Sequence, residues 1–478
     1  MIIKKLLGDK SVVEKHKILL GKIDKIFKNK FIIRYCKKLS EDLSIPEKEI
    51  VFYFKKNYLA AYNFKKEKFE NKILIFSTIK YFFINLFYIL IIFVYKKKTK
   101  INIVKKYDLL IDDVSDPLEV TRYNNLKSYS KNYALRVNKI FFLNKYKVKK
   151  NKFEEIIYRK DYHSYNLSVK DLLFLIKMTY LNIVFSCKAK INFYYFFLKF
   201  INDYYFYLSF FEEYKFKHVI SSRHFASNNI KNYMLKKNNG KSYVIQKNIY
   251  QENINCFFQS ADVLFIFGNK MKRNKSLYFT YKKQIPVGSF AMENNFYGKI
   301  RKKNKKVKKF DILCLGGNQQ YPGGKFDNDY NHAQNYIKHL DWLKQISFEY
   351  PELKVGFKHH TNNKNNYEKL FFKNSNVVYI NKKLNSYDLC YKATFLCSWA
   401  STMVIEFFSI NKRGFFLDPN YENSQYMKSI DKKIRINTYN KFKKTFFNKK
   451  NKETINLNDY CVNSKNTSLR IFNYLLNK

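Results

Sequence analysis

The sequence predicts an α/β protein with two domains, each built around a parallel sheet. Short apolar runs that fit strands alternate with helix-like segments over residues 107–289, and the same alternation returns over residues 310–419. Between the two stretches, residues 301–309 (RKKNKKVKK) contain no apolar run, which is typical of a linker. These three observations predict one Rossmann-like domain over residues 99–300 and a second over residues 310–430.

The composition is strongly basic. The 478 residues include 91 Lys and Arg against 38 Asp and Glu, a formal net charge of +53. This sign favours anionic partners such as nucleic acid, acidic lipid or phosphorylated substrates. The abundance of Lys, Asn, Ile, Tyr and Phe also fits amino-acid usage set by an A/T-rich genome. The charge alone therefore does not identify a partner.

The cysteines and the N-terminus indicate a reducing cytoplasm. Seven cysteines are scattered without a CxxC pair or a Cys/His cluster at zinc spacing. Residues 1–30 lack an uninterrupted apolar core and a small-residue cleavage site, so no signal peptide is expected. The Asp-Asn-Asp triplet at 327–329 is predicted to lie in a loop and is a weak metal motif, so we expect no metal.

A basic helical extension is predicted over residues 1–72, followed by an apolar helix that contacts the membrane over residues 73–98. Residues 73–95 carry one charge, Lys80, and as a helix would extend about 35 Å, enough to cross a bilayer. Lys80, Asn85 and the many aromatic residues favour a helix lying in an anionic membrane surface, followed by Lys96–Lys98. A buried core helix is the alternative. The membrane interpretation predicts peripheral attachment to the inner face of the cell membrane.

The first strand of the first domain is predicted at residues 107–114. Asp112, Asp113 and Ser115 follow at its carboxyl end, where a carboxylate can take a proton from an acceptor hydroxyl. Asp113 is therefore a candidate catalytic base, although these residues equally fit a cap of the following turn. Residues 172–211 are aromatic and predicted helical, either packed under the sheet or forming a lipid or acceptor surface.

Later strands of this domain are followed by polar side chains. Strands are predicted at 218–222, 243–246, 262–268 and 283–289. Arg223, His224 and Gln246 lie at strand ends, so we expect them to face the ligand cleft on the acceptor side. Arg223 would pair with an anionic group.

The second domain contains the predicted donor-binding elements. Gly316 and Gly317 follow its first strand, in a loop that lacks both GxGxxG and P-loop spacing. The loop either lets a phosphate approach the backbone or is a plain turn. Strands are predicted at 355–357, 377–380, 394–397 and 415–417, and residues 431–478 are predicted to form a basic tail.

Side chains suited to phosphate binding follow two of these strands. His359 and His360 follow one, and Ser398, Ser401 and Thr402 follow another, just before a predicted helix over 403–410. The free N–H groups of that helix would face an anion, with the two hydroxyls of 401 and 402 as further donors. Glu406, one turn into the helix, would accept from ribose hydroxyls. The alternatives are a helix N-cap for the hydroxyls, a polar rim position for the histidines and a surface position for Glu406.

Taken in order, these motifs resemble GT-B glycosyltransferases of bacterial surface and capsular polysaccharide synthesis, including Kdo- and sialic-acid-type transferases and CDP-glycerol glycerophosphotransferases. The similar segments are KHH at 358–360, SWAST at 398–402, NKRGFFLDP at 411–419, HVISSRH at 218–224, YVIQKN at 243–248, ADVLFIFG at 261–268 and IPVGS at 285–289. Lys247 stands where His is common in the family, the His motif lacks its Pro, and Arg413-Gly414 replaces Lys-Pro.

The resemblance implies two Rossmann-like domains facing across a cleft and a metal-independent transfer. The donor would be a nucleotide-sugar, CMP- or UDP-linked, and the acceptor a glycan or glycolipid, with no other cofactor. His359 or His360 would neutralise charge on the departing phosphate. The alternatives are a glycerophosphotransferase, a non-catalytic membrane scaffold and a nucleic-acid-binding protein, the last disfavoured because no recognition motif is present.

Overall fold

The computed structural model describes the chain in segments separated by gaps. Described are residues 12–64, 75–95, 104–114, 123, 126, 133–137, 155–158, 167–189, 191–221, 227–249, 258–273, 278–293, 309–317, 330–360, 367–381, 383–419, 430–448 and 455–477. These residues form an α/β fold with two parallel sheets, one of seven strands and one of six. The predicted fold class, two Rossmann-like domains with an N-terminal helical extension, is confirmed. The predicted linker lies almost entirely outside the described residues.

The first sheet is wound in both directions from its first strand. Its strands lie in the order β3-β2-β1-β4-β5-β6-β7, and every pair is parallel. The chain runs outward from β1 to β3 and then returns to β4 on the other side of β1. The strands are β1 Lys105–Val114, β2 Tyr133–Val137, β3 Glu155–Tyr158, β4 Tyr214–Ser221, β5 Lys241–Ile245, β6 Gln259–Ile266 and β7 Phe279–Pro286.

The second sheet repeats this winding. Its order is β10-β9-β8-β11-β12-β13, again parallel throughout. In sheets of this kind ligands bind at the carboxyl edge where the strand order reverses. The reversal lies between β1 and β4 in the first sheet and between β8 and β11 in the second. The strands are β8 Phe310–Leu315, β9 Val355–Lys358, β10 Val378–Ile380, β11 Ala393–Ser398, β12 Gly414–Leu417 and β13 Arg435–Ile436.

Helices cover the faces of both sheets. Those before and within the first domain are α1 Val12–Ile26, α2 Lys30–Leu43, α3 Glu47–Phe64, α4 Ile75–Tyr95, α5 Val169–Ala189, α6 Phe193–Glu213 and α7 Asn229–Lys237. Those after it are α8 Tyr330–Glu349, α9 Tyr367–Phe371, α10 Ser386–Lys392, α11 Thr402–Phe408, α12 Tyr439–Phe447 and α13 Thr467–Leu476. Buried residues of the N-terminal helices, α5, α6 and α7 share one apolar cluster with β1 and β4.

The segment predicted as a basic tail is folded. β13 pairs with β12 at the edge of the second sheet, and Phe442 of α12 is buried against that domain. The last helix, α13, instead returns to the first domain, where Ile471 and Leu475 join a cluster with residues of β1, β4, β5 and β6. Glu293 holds the start of α13, since its carboxylate accepts from the Ser468 backbone N–H at 3.0 Å.

Two long apolar helices lie in the first domain. α4 covers most of the predicted membrane-contacting segment and ends at Tyr95. Among the described residues, α5 is the single helix that is long and apolar enough to cross a bilayer. A buried core helix of a soluble protein can have the same length and composition.

Candidate active site

The carboxyl ends of β9, β8 and β11 form one row at the reversal point of the second sheet. Lys358 pairs with Leu315, and Leu315 pairs with Ser398. The residues that follow β8 therefore lie between those that follow β9 and those that follow β11, because adjacent strands lie about 4.8 Å apart. The structure thus brings the predicted histidine and Ser-Thr segments to the same edge.

Gly316 fits this row because it has no side chain. Its N–H donates to the Lys358 carbonyl at 2.9 Å. A Cβ on Gly316 would lie 3.0 Å from that oxygen and 3.3 Å from the His360 nitrogen. Gly316 therefore closes the β8 turn against the end of β9. Gly317 is also described, whereas the rest of the predicted glycine loop lies outside the described residues.

His359 is held against a buried carboxylate. Its Nδ1 lies 3.5 Å from Glu368 Oε2, and both side chains are buried. Tyr336 donates its hydroxyl to the other oxygen of Glu368 at 3.0 Å, and the His359 backbone N–H donates to the Ile380 carbonyl at 2.9 Å. The carboxylate therefore lies beside the imidazole ring. No signal in the sequence marks Glu368, which belongs to the five-residue helix α9.

The residues on either side of His359 are a buried lysine and a half-buried histidine. Lys358 is 2 % exposed, and its Nζ donates to the His359 carbonyl at 3.0 Å. Burial lowers the pKa of Lys358. Burial, together with His359 and Lys358, also lowers the pKa of the half-buried His360. The motif therefore places three basic side chains together where solvent stabilises positive charge poorly.

The serines of the β11 turn are used in local structure. Ser401 is the N-cap of α11, where its Oγ accepts from the Met403 N–H at 3.3 Å. Ser398 Oγ accepts from the Ser401 N–H at 2.9 Å. The N-cap alternative for Ser401 is therefore correct, and the cap leaves its hydroxyl proton available to a ligand.

Thr402 and Glu406 contact the first domain. Thr402 Oγ1 accepts from the Ile249 N–H at 3.1 Å. Glu406 is buried, with one oxygen accepting from Ser289 at 2.7 Å and the other from Tyr387 at 2.8 Å. Ile249 and Ser289 follow β5 and β7, so the carboxyl edges of the two sheets face each other. A ribose contact at Glu406 would have to displace one of these hydroxyls.

The reversal point of the first sheet contains a buried ion pair. Asp112 is paired across the strands with Ser221, and Lys231 of α7 donates to both, at 2.8 Å to the carboxylate and 2.7 Å to the hydroxyl. All three side chains are buried. The predicted Asp113 lies beside an irregularity in the β1–β2 pairing, and its side chain is outside the described residues. No local sequence pattern links Lys231 to Asp112, because the two residues lie 119 positions apart in the chain.

Of the three residues predicted on the acceptor side, the structure describes only Gln246. Arg223 and His224 lie outside the described residues. Gln246 is buried, and its amide is committed to the backbone, accepting from Phe267 N–H at 3.0 Å and donating to Asn248 O at 3.1 Å. Gln246 thus ties the end of β5 to the turn after β6. Among the described residues, no group of three or more His, Cys, Asp or Glu could hold a metal ion.

Comparisons with known proteins give distant fold likenesses only. No family model matches the chain, and no curated protein sequence matches it significantly. A UDP-GlcNAc 2-epimerase from Neisseria meningitidis bound to UDP-GlcNAc has TM-score 0.43 and 9 % identity, covering 78 % of this chain and 100 % of that one. The wall teichoic acid polymerase TagF has TM-score 0.44 and 11 % identity, covering 84 % and 97 %. MurG from Acinetobacter baumannii has TM-score 0.40 and 9 % identity, covering 78 % and 100 %. Similarity at this level assigns no activity.

Proposed function

We propose that this chain is a metal-independent glycosyltransferase that moves a sugar from a nucleotide-sugar donor to a growing surface polysaccharide or lipid-linked glycan. The observation that supports the proposal is the row at the β8–β11 reversal point, where Lys358, His359 and His360 lie at the same sheet edge as the Ser-Thr turn, with β8 between them. Ligands of doubly wound sheets bind at this position. The facing edge of the first sheet would supply the acceptor side.

The charge of the row favours a phosphate-bearing donor. Lys358 is buried, and no carboxylate of a described residue lies within ion-pair distance of its Nζ. A buried cation without a counter-ion is costly, and a bound anion would offset that cost. The diphosphate of a nucleotide-sugar would provide the anion, with the Ser401 hydroxyl as a further donor.

The same groups would assist bond breaking. When the bond between sugar and phosphate breaks, negative charge builds on the departing nucleotide. Donors already fixed near that phosphate stabilise the charge without reorganising, and each such donor contributes about 10²–10³ in rate. His359, with Glu368 beside it, would act on the departing phosphate together with Lys358.

Nucleotide binding tests the proposal. Calorimetry with UDP, CMP and CDP, with and without EDTA, should show binding that EDTA leaves unchanged. Lys358→Met and the His359→Ala/His360→Ala pair should each weaken that binding at least tenfold and slow sugar transfer further. Lys369→Met is the matched control, because Lys369 is an exposed lysine of α9. If the wild-type chain binds none of these nucleotides, or if all variants bind equally, the proposal is wrong.

A further inference from the structure

Helix α5 exposes large apolar side chains and buries polar ones together with Leu175 and Met178. Its exposed stripe is apolar and consists of Val169, Leu173, Ile176 and Tyr180, with Leu173 63 % and Tyr180 65 % exposed. Its buried face contains polar residues, namely Thr179, Asn182 and Ser186. A helix exposed to water normally has the reverse arrangement.

The buried polar residues of α5 form hydrogen bonds with neighbouring helices. Tyr35 of α2 donates to Asn182 Oδ1 at 2.5 Å, and Asn85 of α4 donates to Thr179 Oγ1 at 3.3 Å. Ser186 Oγ accepts from the Phe193 N–H at 3.0 Å. These hydrogen bonds hold the polar residues of α5 against the domain. The apolar stripe on the other side of the helix is therefore exposed.

Helix α4 extends this surface. It packs on α5 and exposes Phe83, Ile84, Phe87 and Leu90, with Phe83 61 % and Phe87 67 % exposed, while Asn85 is fully buried. Two neighbouring helices thus present bulky apolar side chains on their outer surfaces. Exposed apolar patches of this kind mark membrane or protein interaction sites.

The exposed charged side chains among the described residues of α4 and α5 are lysines. Lys80 of α4 and Lys170, Lys177 and Lys188 of α5 are exposed. The carboxylate of Asp171, also on α5, accepts from the Tyr205 hydroxyl at 2.9 Å and from Ser168 at 2.6 Å. Lysines bordering exposed aromatic and aliphatic side chains complement an anionic lipid surface.

We infer that α4 and α5 together form a docking face for an anionic bilayer, with the helices lying in the membrane surface and not crossing it. Crossing would expose the buried amides of Asn85 and Asn182 to lipid and break their contacts with the domain. A second copy of the chain is a poorer occupant, since a two-fold contact through this face would bring its lysines together. This inference does not depend on the nucleotide chemistry proposed above.

Vesicle flotation tests the docking face. The full-length chain should float with vesicles of phosphatidylcholine and phosphatidylglycerol and much less with phosphatidylcholine alone. The Phe87→Glu/Leu173→Glu variant should lower the bound fraction at least tenfold. Phe348→Glu/Leu370→Glu is the matched control, because these two exposed apolar residues lie in the second domain, and it should float like wild type.

Three results would overturn the inference. The first is flotation of Phe87→Glu/Leu173→Glu equal to that of wild type. The second is an equal loss in the second-domain control. The third is a lipid-free dimer in sedimentation that Phe87→Glu/Leu173→Glu converts to monomer, since that would assign the face to a second copy. Circular dichroism would confirm that each variant is folded before it is scored.

Discussion

At the scale of single residues, the buried ionisable groups of the second domain distinguish structural from functional roles. His339 of α8 lies between the rings of Tyr336 and Trp399, 4.6 Å and 5.3 Å away between centroids. Burial lowers the pKa of His339 to about 3 from its ordinary 6.5. His359 instead follows the end of β9 and lies beside Glu368 of α9. We therefore expect His339 to contribute to stability, whereas His359 belongs to the proposed ligand site.

The first prediction concerns stability at acid pH. Between about pH 6.5 and 3 the unfolded chain binds a proton at His339 that the folded chain does not, so stability is lost as pH falls through this window. At pH 5 the loss from this residue should be about 2 kcal/mol. His339→Gln should remove that part of the pH dependence, and urea unfolding followed by tryptophan fluorescence at pH 7 and 5 measures it. Equal pH slopes in both proteins would show that His339 does not contribute.

At the scale of elements, α11 combines a structural cap with a predicted phosphate contact. The helix is short, and its residues Val404 to Phe408 are all buried, so packing holds it in place. Its start is fixed by Ser401 within the chain and by Thr402 against the first domain. A change at Ser401 can therefore affect stability, ligand binding or both.

The second prediction separates those two effects. Ser401→Ala should cost about 1 kcal/mol of stability, because it removes the N-cap oxygen. Ser401→Asp keeps an oxygen that can accept from Met403 N–H but adds a negative charge. It should retain stability and weaken nucleotide binding at least tenfold in calorimetry. Unchanged nucleotide affinity in a stable Ser401→Asp variant would show that Ser401 does not contact phosphate.

At the scale of the whole molecule, the two domains are joined by more than their linker. Glu406 binds Ser289 across the interface, and apolar residues of both sheets share one buried cluster. α13 then carries the end of the chain back onto the first domain. The chain passes from the first domain to the second and back, so the C-terminal segment is part of the first domain's core.

The third prediction tests this return of the chain. Ile471→Ala should lower the stability of the first domain by about 2–5 kcal/mol, since a fully buried side chain is lost. Leu476→Ala in the same helix should change it by less than about 0.5 kcal/mol, because Leu476 is exposed. Urea unfolding followed by circular dichroism compares the two. If the two variants unfold alike, α13 does not support the first domain.

The sequence by itself determined the fold class and the order of most elements, because the period of apolar residues is a local property. It also placed Ser401 at a helix start and the histidines at a strand end. Tertiary structure alone decided the partners: Lys231 with Asp112, Ser289 with Glu406 and Glu368 with His359. Such pairs join elements brought together only by strand order and register. The composition of residues 172–211 likewise predicted an apolar helical segment, but tertiary structure divides it into α5 and α6. Packing alone decided that Asn182 of α5 is buried while Leu173 is exposed.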